Sequence, residues 1–205
     1  MQKTKKNEKE SSLLAAKPSK TLRKEFESDG FDLQSHRSHY HDLQTKLEYH
    51  DLDVKEKVET LETLRDMLDA SLSEIGKIRN NPESNISKRE KSDQSFSAEV
   101  GEFISGLESA LEKANIVLAE ANLREDLFAE GLDISGLYQK IDDGAFDMSG
   151  VFHALDGALS KIENIRSDPT SAVSKRENSD PTYQKQLEML VGRLKGKREN
   201  YQMSP

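Results

Sequence analysis

The 205-residue sequence contains no cysteine and no tryptophan. The absence of cysteine excludes disulfide bonds, thiolate catalysis and cysteine-bound zinc. Aromatic residues make up 6% of the chain and hydrophobic residues 34%, against 33% charged residues and a mean hydropathy of −0.80. Such a polar chain cannot enclose a broad globular core, but it can bury narrow apolar stripes between helices. The composition therefore favours helical bundles or coiled coils over an α/β enzyme.

Long apolar runs are absent as well. The longest are the four-residue stretches 13–16 and 116–119. Both are far too short to cross a bilayer or to form the core of a signal peptide. We therefore expect no membrane insertion and a cytoplasmic location, with secretion without a cleaved signal peptide as the alternative.

Charge is distributed unevenly along the chain. The net charge is −8, but residues 1–24 hold eight lysines and arginines against two glutamates, so this segment carries +6 and the remainder carries −14. Residues 1–30 also lack hydrophobic periodicity, which predicts a disordered basic arm. Such an arm on an acidic body can attract polyanions or contact the body itself.

One segment of the sequence occurs twice. Fifteen of 26 positions are identical between residues 68–93 and residues 155–180, without a gap and at an offset of 87. So close a match within one chain predicts a duplicated structural unit.

Apolar residues recur at alternating spacings of three and four, which is the pattern of one helical face. The stripe from Val100 to Ala121 is the clearest, with steps of 4-3-4-3-4-3, and Phe103 and Val117 broaden it toward a bundle face. Gly131 is predicted to end that helix. The other stripes lie in residues 33–78, 134–165 and 183–194, and the first of them predicts a single helix over residues 32–79.

In each copy of the repeat, a helix leads through a loop of about 14–16 residues to a second helix, which is a helical hairpin. Asp93 or Ser95 is the predicted N-cap of the second helix in the first copy, and Asp180 is the predicted N-cap in the second copy. Pro181 suits a first helical position. The sequence thus predicts an all-α fold of two tandem hairpins in an elongated, coiled-coil-like four-helix bundle. The predicted divisions are the arm at 1–30, hairpins at 31–131 and 132–202, and a tail at 203–205.

The repeated loops are the main candidates for partner binding, because loops usually diverge faster than cores. Each contains the sequence SKRE, whose charges suit an acidic partner or a phosphate. The alternative is a structural junction in which these charges keep the connection soluble. The candidate residues are Lys88, Arg89, Glu90, Lys175, Arg176 and Glu177.

Four of the five histidines fall within residues 36–50. His36 and His39 share a helical face, and together with His41 they are candidate ligands for Zn²⁺ or Ni²⁺. Their spacing lacks the HExxH pattern, and a pH-responsive helix or a polar helix start explains them equally well. We therefore predict no metal and no other cofactor.

No P-loop, GxGxxG motif or hydrolase triad is present, so we expect no enzymatic activity. The sequence predicts a non-enzymatic protein–protein interaction module, such as a scaffold, assembly factor or chaperone, that binds a protein partner or itself. The first alternative is a protein exported through a type III or flagellar-type secretion system, because the N-terminus is polar and cysteine is absent. The second is a nucleic-acid-associated protein that acts through the basic arm.

Overall fold

In the computed structural model the described residues are 18–49 and 52–202, so most of the predicted arm (1–17) and the predicted tail lie outside them. Within the described ranges the secondary structure consists of nine α-helices, which confirms the all-α class. No helix in this part of the chain is long and apolar enough to cross a membrane. The helices are α1 (Lys20–Ser28), α2 (Leu33–Tyr49), α3 (Val54–Asn80), α4 (Asn85–Ser92), α5 (Gln94–Ala129), α6 (Ile134–Asp142), α7 (Met148–Ser167), α8 (Ala172–Ser179) and α9 (Pro181–Gln202).

The helices form two compact units. Among the described residues, unit 1 contains residues 18–49, Leu52 and Glu59–Ala114, and unit 2 contains Asp53–Val58 and residues 115–202. The division after Ala114 falls inside α5, whereas the sequence predicted a boundary at residue 131. Helix α5 therefore supplies residues to both units.

Helix α1 belongs to the core of unit 1, so the prediction of a disordered arm is wrong for residues 19–30. Ser19 caps the helix, because its hydroxyl accepts a hydrogen bond from the Leu22 amide at 3.0 Å. Leu22 and Phe26 lie one helical turn apart and are both fully buried. Gly30 ends the helix with a φ of +91°, a conformation that glycine adopts without a steric penalty.

The prediction of a single helix over residues 32–79 is also wrong, since α2 and α3 are separate. Asp53 begins α3: its carboxylate accepts a hydrogen bond from the Glu56 amide at 2.8 Å, and the Glu56 carboxylate accepts one from the Asp53 amide at 3.2 Å. This reciprocal arrangement is a capping box, which starts a helix without any glycine or proline before it.

The apolar stripe in residues 134–165 likewise covers two helices, α6 and α7. Gly144 follows α6 with a φ of +68°. Asp147 then caps α7, because its carboxylate accepts a hydrogen bond from the Gly150 amide at 2.7 Å. Gly144 therefore marks a break between two helices.

Tyr40 is a polar residue in the core of unit 1. Its side chain is buried, and its hydroxyl has no hydrogen-bond partner within the described residues. Burial, and secondarily the negative charge of Glu48, raise the pKa of Tyr40 to about 12.

We expect Tyr40→Phe to increase the free energy of unfolding by about 1 kcal/mol near neutral pH, because it removes an unsatisfied buried hydroxyl. In the unfolded chain a tyrosine titrates near pH 10, so the wild type should lose stability as the pH rises from about 10 to about 12. The variant should lose less over this range. Urea unfolding midpoints of both proteins at about pH 8 and about pH 11.5 measure this difference, and an identical pH dependence would contradict it.

Candidate functional site

Each copy of the 87-offset repeat forms a junction between two long helices, and a short helix lies between them. The short helices are α4 and α8, so the SKRE segments are helical and the prediction of a loop is wrong there. The Ser84 hydroxyl caps α4: it accepts a hydrogen bond from the Ser87 amide at 3.0 Å and donates one to the Ile78 carbonyl at 2.7 Å. Ser171 makes the same two contacts at the start of α8.

The glutamate of each SKRE segment pairs with an arginine of the preceding long helix. Arg79 donates to the two carboxylate oxygens of Glu90 at 2.8 and 3.0 Å, and these bonds raise the pKa of Arg79. Arg166 and Glu177 form the same bidentate pair in the second copy. Bidentate geometry is the strongest form of this contact, and it joins each short helix to its long neighbour.

The arginine of the first SKRE segment, Arg89, contacts two other helices. Its guanidinium donates to the Glu25 carboxylate of α1 at 2.7 Å. The same group lies 4.8 Å from the ring centre of Phe96 on α5, which is a cation–π contact. Arg89 therefore ties α4 to α1 and α5 within unit 1.

Arg176 has the corresponding position in unit 2. Its Nε lies 3.0 Å from the Asp126 carboxylate, and its guanidinium lies 5.7 Å from the ring centre of Tyr183. The Tyr183 hydroxyl donates to the same carboxylate at 2.9 Å. Burial, followed by the charge of Asp126, raises the pKa of Tyr183. Asp126 itself is only 8% exposed and accepts both contacts.

The two lysines of the SKRE segments remain at the surface. Lys88 forms an exposed ion pair with Glu83 at 2.9 Å, and Lys175 is exposed on α8. The arginines and glutamates among the six predicted binding residues are thus engaged in contacts inside their own unit. This arrangement is that of a structural junction, the alternative that the sequence left open.

The predicted histidine candidates are not brought together. His36 is half-buried, with its Nδ1 2.9 Å from the Ser71 hydroxyl, and its ring stacks on Phe31. His39 and His41 are exposed on α2. Across residues 18–49 and 52–202, no group of three His, Cys, Asp or Glu side chains is arranged to hold a metal ion.

Comparison of this chain with protein-family models, curated proteins and solved structures gives no match.

A second repeat, which sequence reasoning missed, precedes the first. Gly30 and Gly131, with φ of +91° and +76°, end equivalent helices. The Phe31 amide donates to the Phe26 carbonyl at 2.9 Å across this turn, and the equivalent bond in the second copy is 2.8 Å. The offset is 101 instead of 87, and only four of twelve positions are identical. The matching segments are LRKEFESDGFDL at 22–33 and LREDLFAEGLDI at 123–134.

Unit 2 contains a groove of about 810 Å³, which we call the Phe128 groove. One side of α5 lines it with Val117, Ala121, Arg124 and Phe128, at spacings of 4-3-4. Phe128 is 67% exposed and Val117 is 42% exposed. The remaining lining residues are Asp53, Lys55, Lys57, Glu120, Glu125, Asp133, Ile134 and Ser135.

The exposure of Val117 corrects the prediction that it broadens a core-facing stripe. In unit 2 the core face of α5 is formed by buried residues such as Ala119, Leu123 and Leu127. Val117 lies on the other side of the helix, in the Phe128 groove.

Position 128 has an aromatic side chain where the equivalent helix of unit 1 has a charged one. The counterpart of Phe128 at the 101-residue offset is Glu27, which is exposed on α1. The preceding positions, Phe26 and Leu127, are both fully buried, so the two helix ends have the same orientation toward their cores. Phe128 is therefore a large apolar side chain at a position that is polar in the other copy, which makes it the leading candidate functional residue.

Proposed function

We propose that the chain is a non-enzymatic protein-interaction module, a scaffold, assembly factor or chaperone, and that the Phe128 groove is its contact surface. The observation that carries this proposal is the 67% exposure of Phe128. Exposed apolar clusters on otherwise polar proteins mark interaction sites, because they are costly to keep in water.

The composition of the groove favours a protein over a small molecule. Seven of its twelve lining residues are charged, and Phe128 is the only aromatic residue among them. Small-molecule pockets are predominantly apolar and carry few polar groups. Protein interfaces instead combine a central apolar anchor with a polar rim.

On this proposal the duplicated chain is built as tandem helical hairpins that share α5, and the repeated junctions hold each hairpin together. The internal ion pairs of Arg89, Glu90, Arg176 and Glu177 support this structural role. Any contact of the SKRE segments with a partner would then involve the exposed lysines.

Site-specific photo-cross-linking tests the contact surface. A photoreactive phenylalanine at position 128 is expected to form a discrete adduct with one partner in cells, whereas the same group at position 27 should not. The purified partner should then bind the wild-type chain and bind Phe128→Glu at least about tenfold more weakly, since an interface anchor contributes more than about 1 kcal/mol.

Phe128→Glu is well matched to this purpose, because the first copy folds with glutamate at the equivalent position. Its circular dichroism and thermal midpoint should equal those of the wild type. Unchanged affinity of the variant for the cross-linked partner, or adducts of equal yield from positions 27 and 128, would refute the proposed surface.

A further inference from the structure

We infer that the occupant of the Phe128 groove is an amphipathic α-helix of about three turns, with an apolar stripe and both a basic and an acidic flanking residue. This inference rests on the proposed function and names the chemistry of the partner.

The floor of the groove has the spacing of a helix-packing surface. Val117, Ala121 and Phe128, together with Arg124, follow the 4-3-4 pattern of a coiled-coil stripe. At 1.5 Å per residue this stripe is about 16 Å long, which matches about three turns of a partner helix. Addition of a partner strand would require the edge of a sheet, and the described residues form no strand.

Most charges in the groove are already engaged within the chain. Arg124 pairs with Glu120 at 2.9 Å along α5. The carboxylates of Asp53 and Asp133 cap α3 and α6, and each accepts a backbone amide hydrogen bond at 2.8 Å. The Arg124–Glu120 pair is locally neutral. The positive N-terminal ends of α3 and α6 offset part of the charge of the two aspartates.

Lys55, the fifth charged lining residue, also has an interaction of its own. Lys57 and Glu125 differ from these five side chains. Both line the groove, and neither has an ion-pair partner in the part of the chain that the structure describes. An occupant with acidic and basic flanking residues complements both of them, as e and g residues do in coiled coils. A helix with only acidic flanks would be repelled by Glu125, and one with only basic flanks by Lys57.

Three synthetic peptides of about 18 residues, long enough to cover the stripe, provide the test. All three have the same leucine stripe and the same hydrocarbon staple, so that their helicity is equal, and their flanks are mixed, all glutamate or all lysine. We expect the mixed peptide to bind the full-length protein about fivefold more tightly than either of the others in a titration at about 150 mM salt. The all-glutamate and all-lysine peptides have the same charge on both flanks. Their repulsion by Glu125 or Lys57 is therefore the same whether the peptide helix runs parallel or antiparallel to α5.

Two charge-reversing variants sharpen the assignment. Glu125→Lys should shift the preference to the all-glutamate peptide, and Lys57→Glu should shift it to the all-lysine peptide. Phe128→Glu should weaken binding of all three peptides about tenfold, because it removes the apolar anchor that they share.

Equal affinity for the three peptides, or no binding of any, would overturn the helical occupant. A partner cross-linked through position 128 would still support the proposed function in that case. Light scattering tests whether the occupant is a second copy of this chain. A dimer that Phe128→Glu dissociates would assign the groove to self-association and overturn the inference. A monomeric wild-type protein supports the inference.

Discussion

Replacing Phe26 by alanine is expected to lower the free energy of unfolding of unit 1 by about 3–5 kcal/mol, the usual loss for a buried phenylalanine. Phe26 is fully buried, and its ring centre lies 5.6 Å from that of Phe31 and 6.0 Å from that of Phe103. Alanine would leave a cavity beside Phe31 and Phe103 and remove both aromatic contacts.

Glu27→Ala is the matched control, because Glu27 is the next residue of the same helix and is exposed. Its stability should stay within about 0.5 kcal/mol of the wild type. Urea unfolding followed by circular dichroism measures both variants, and hydrogen exchange of the α1 amides localises the change. If residues 19–30 were a disordered arm, both variants would unfold like the wild type.

The second large effect is expected from Asp126→Ala in unit 2, at about 2–3 kcal/mol. The variant leaves the Tyr183 hydroxyl buried without its acceptor and leaves Arg176 without its counter-ion. The side chain of Arg176 is 40% exposed, so water compensates part of the lost pairing and keeps the effect below that of a fully buried ion pair.

A double-mutant cycle separates the two losses. Tyr183→Phe removes the hydroxyl that Asp126→Ala would strand, so the double variant should be about 1 kcal/mol more stable than the sum of the single effects predicts. Glu25→Ala is the control in unit 1: Glu25 pairs with Arg89, but Phe96 there has no hydroxyl, so its loss should be about 1 kcal/mol. Equal losses for Glu25→Ala and Asp126→Ala would show that the tyrosine contributes nothing.

Local signals in the sequence were sufficient for the fold class and for several helix ends. Asp93 and Asp180 cap α5 and α9 as predicted, by accepting hydrogen bonds from the amides of Phe96 and Tyr183. Gly131 follows the end of α5, also as predicted. These features depend on residues within a few positions of one another, so the sequence alone identifies them.

Contacts between distant residues were not predictable in this way. Arg89 lies 64 residues from Glu25, so the sequence could not show whether its charge faces a partner or the chain's own α1. The helical structure of residues 20–28 was not predicted for a similar reason. The matching segment lies at an offset of 101, whereas the clear repeat has an offset of 87. Periodicity also led to the wrong face for Val117, because apolar residues lie on two sides of α5 and only packing shows which side is buried.

The bounds of the helices also explain why the two repeats have different offsets, 101 and 87 residues. The contact between His36 and Ser71 joins α2 to α3 within unit 1. Helix α3 has 27 residues against 20 in α7, and α2 has 17 against 9 in α6. Helices α2 and α3 are therefore each longer by about one heptad, the step that returns an apolar stripe to nearly the same helical face. A length difference of this size in both helices keeps the apolar stripe of each on one side.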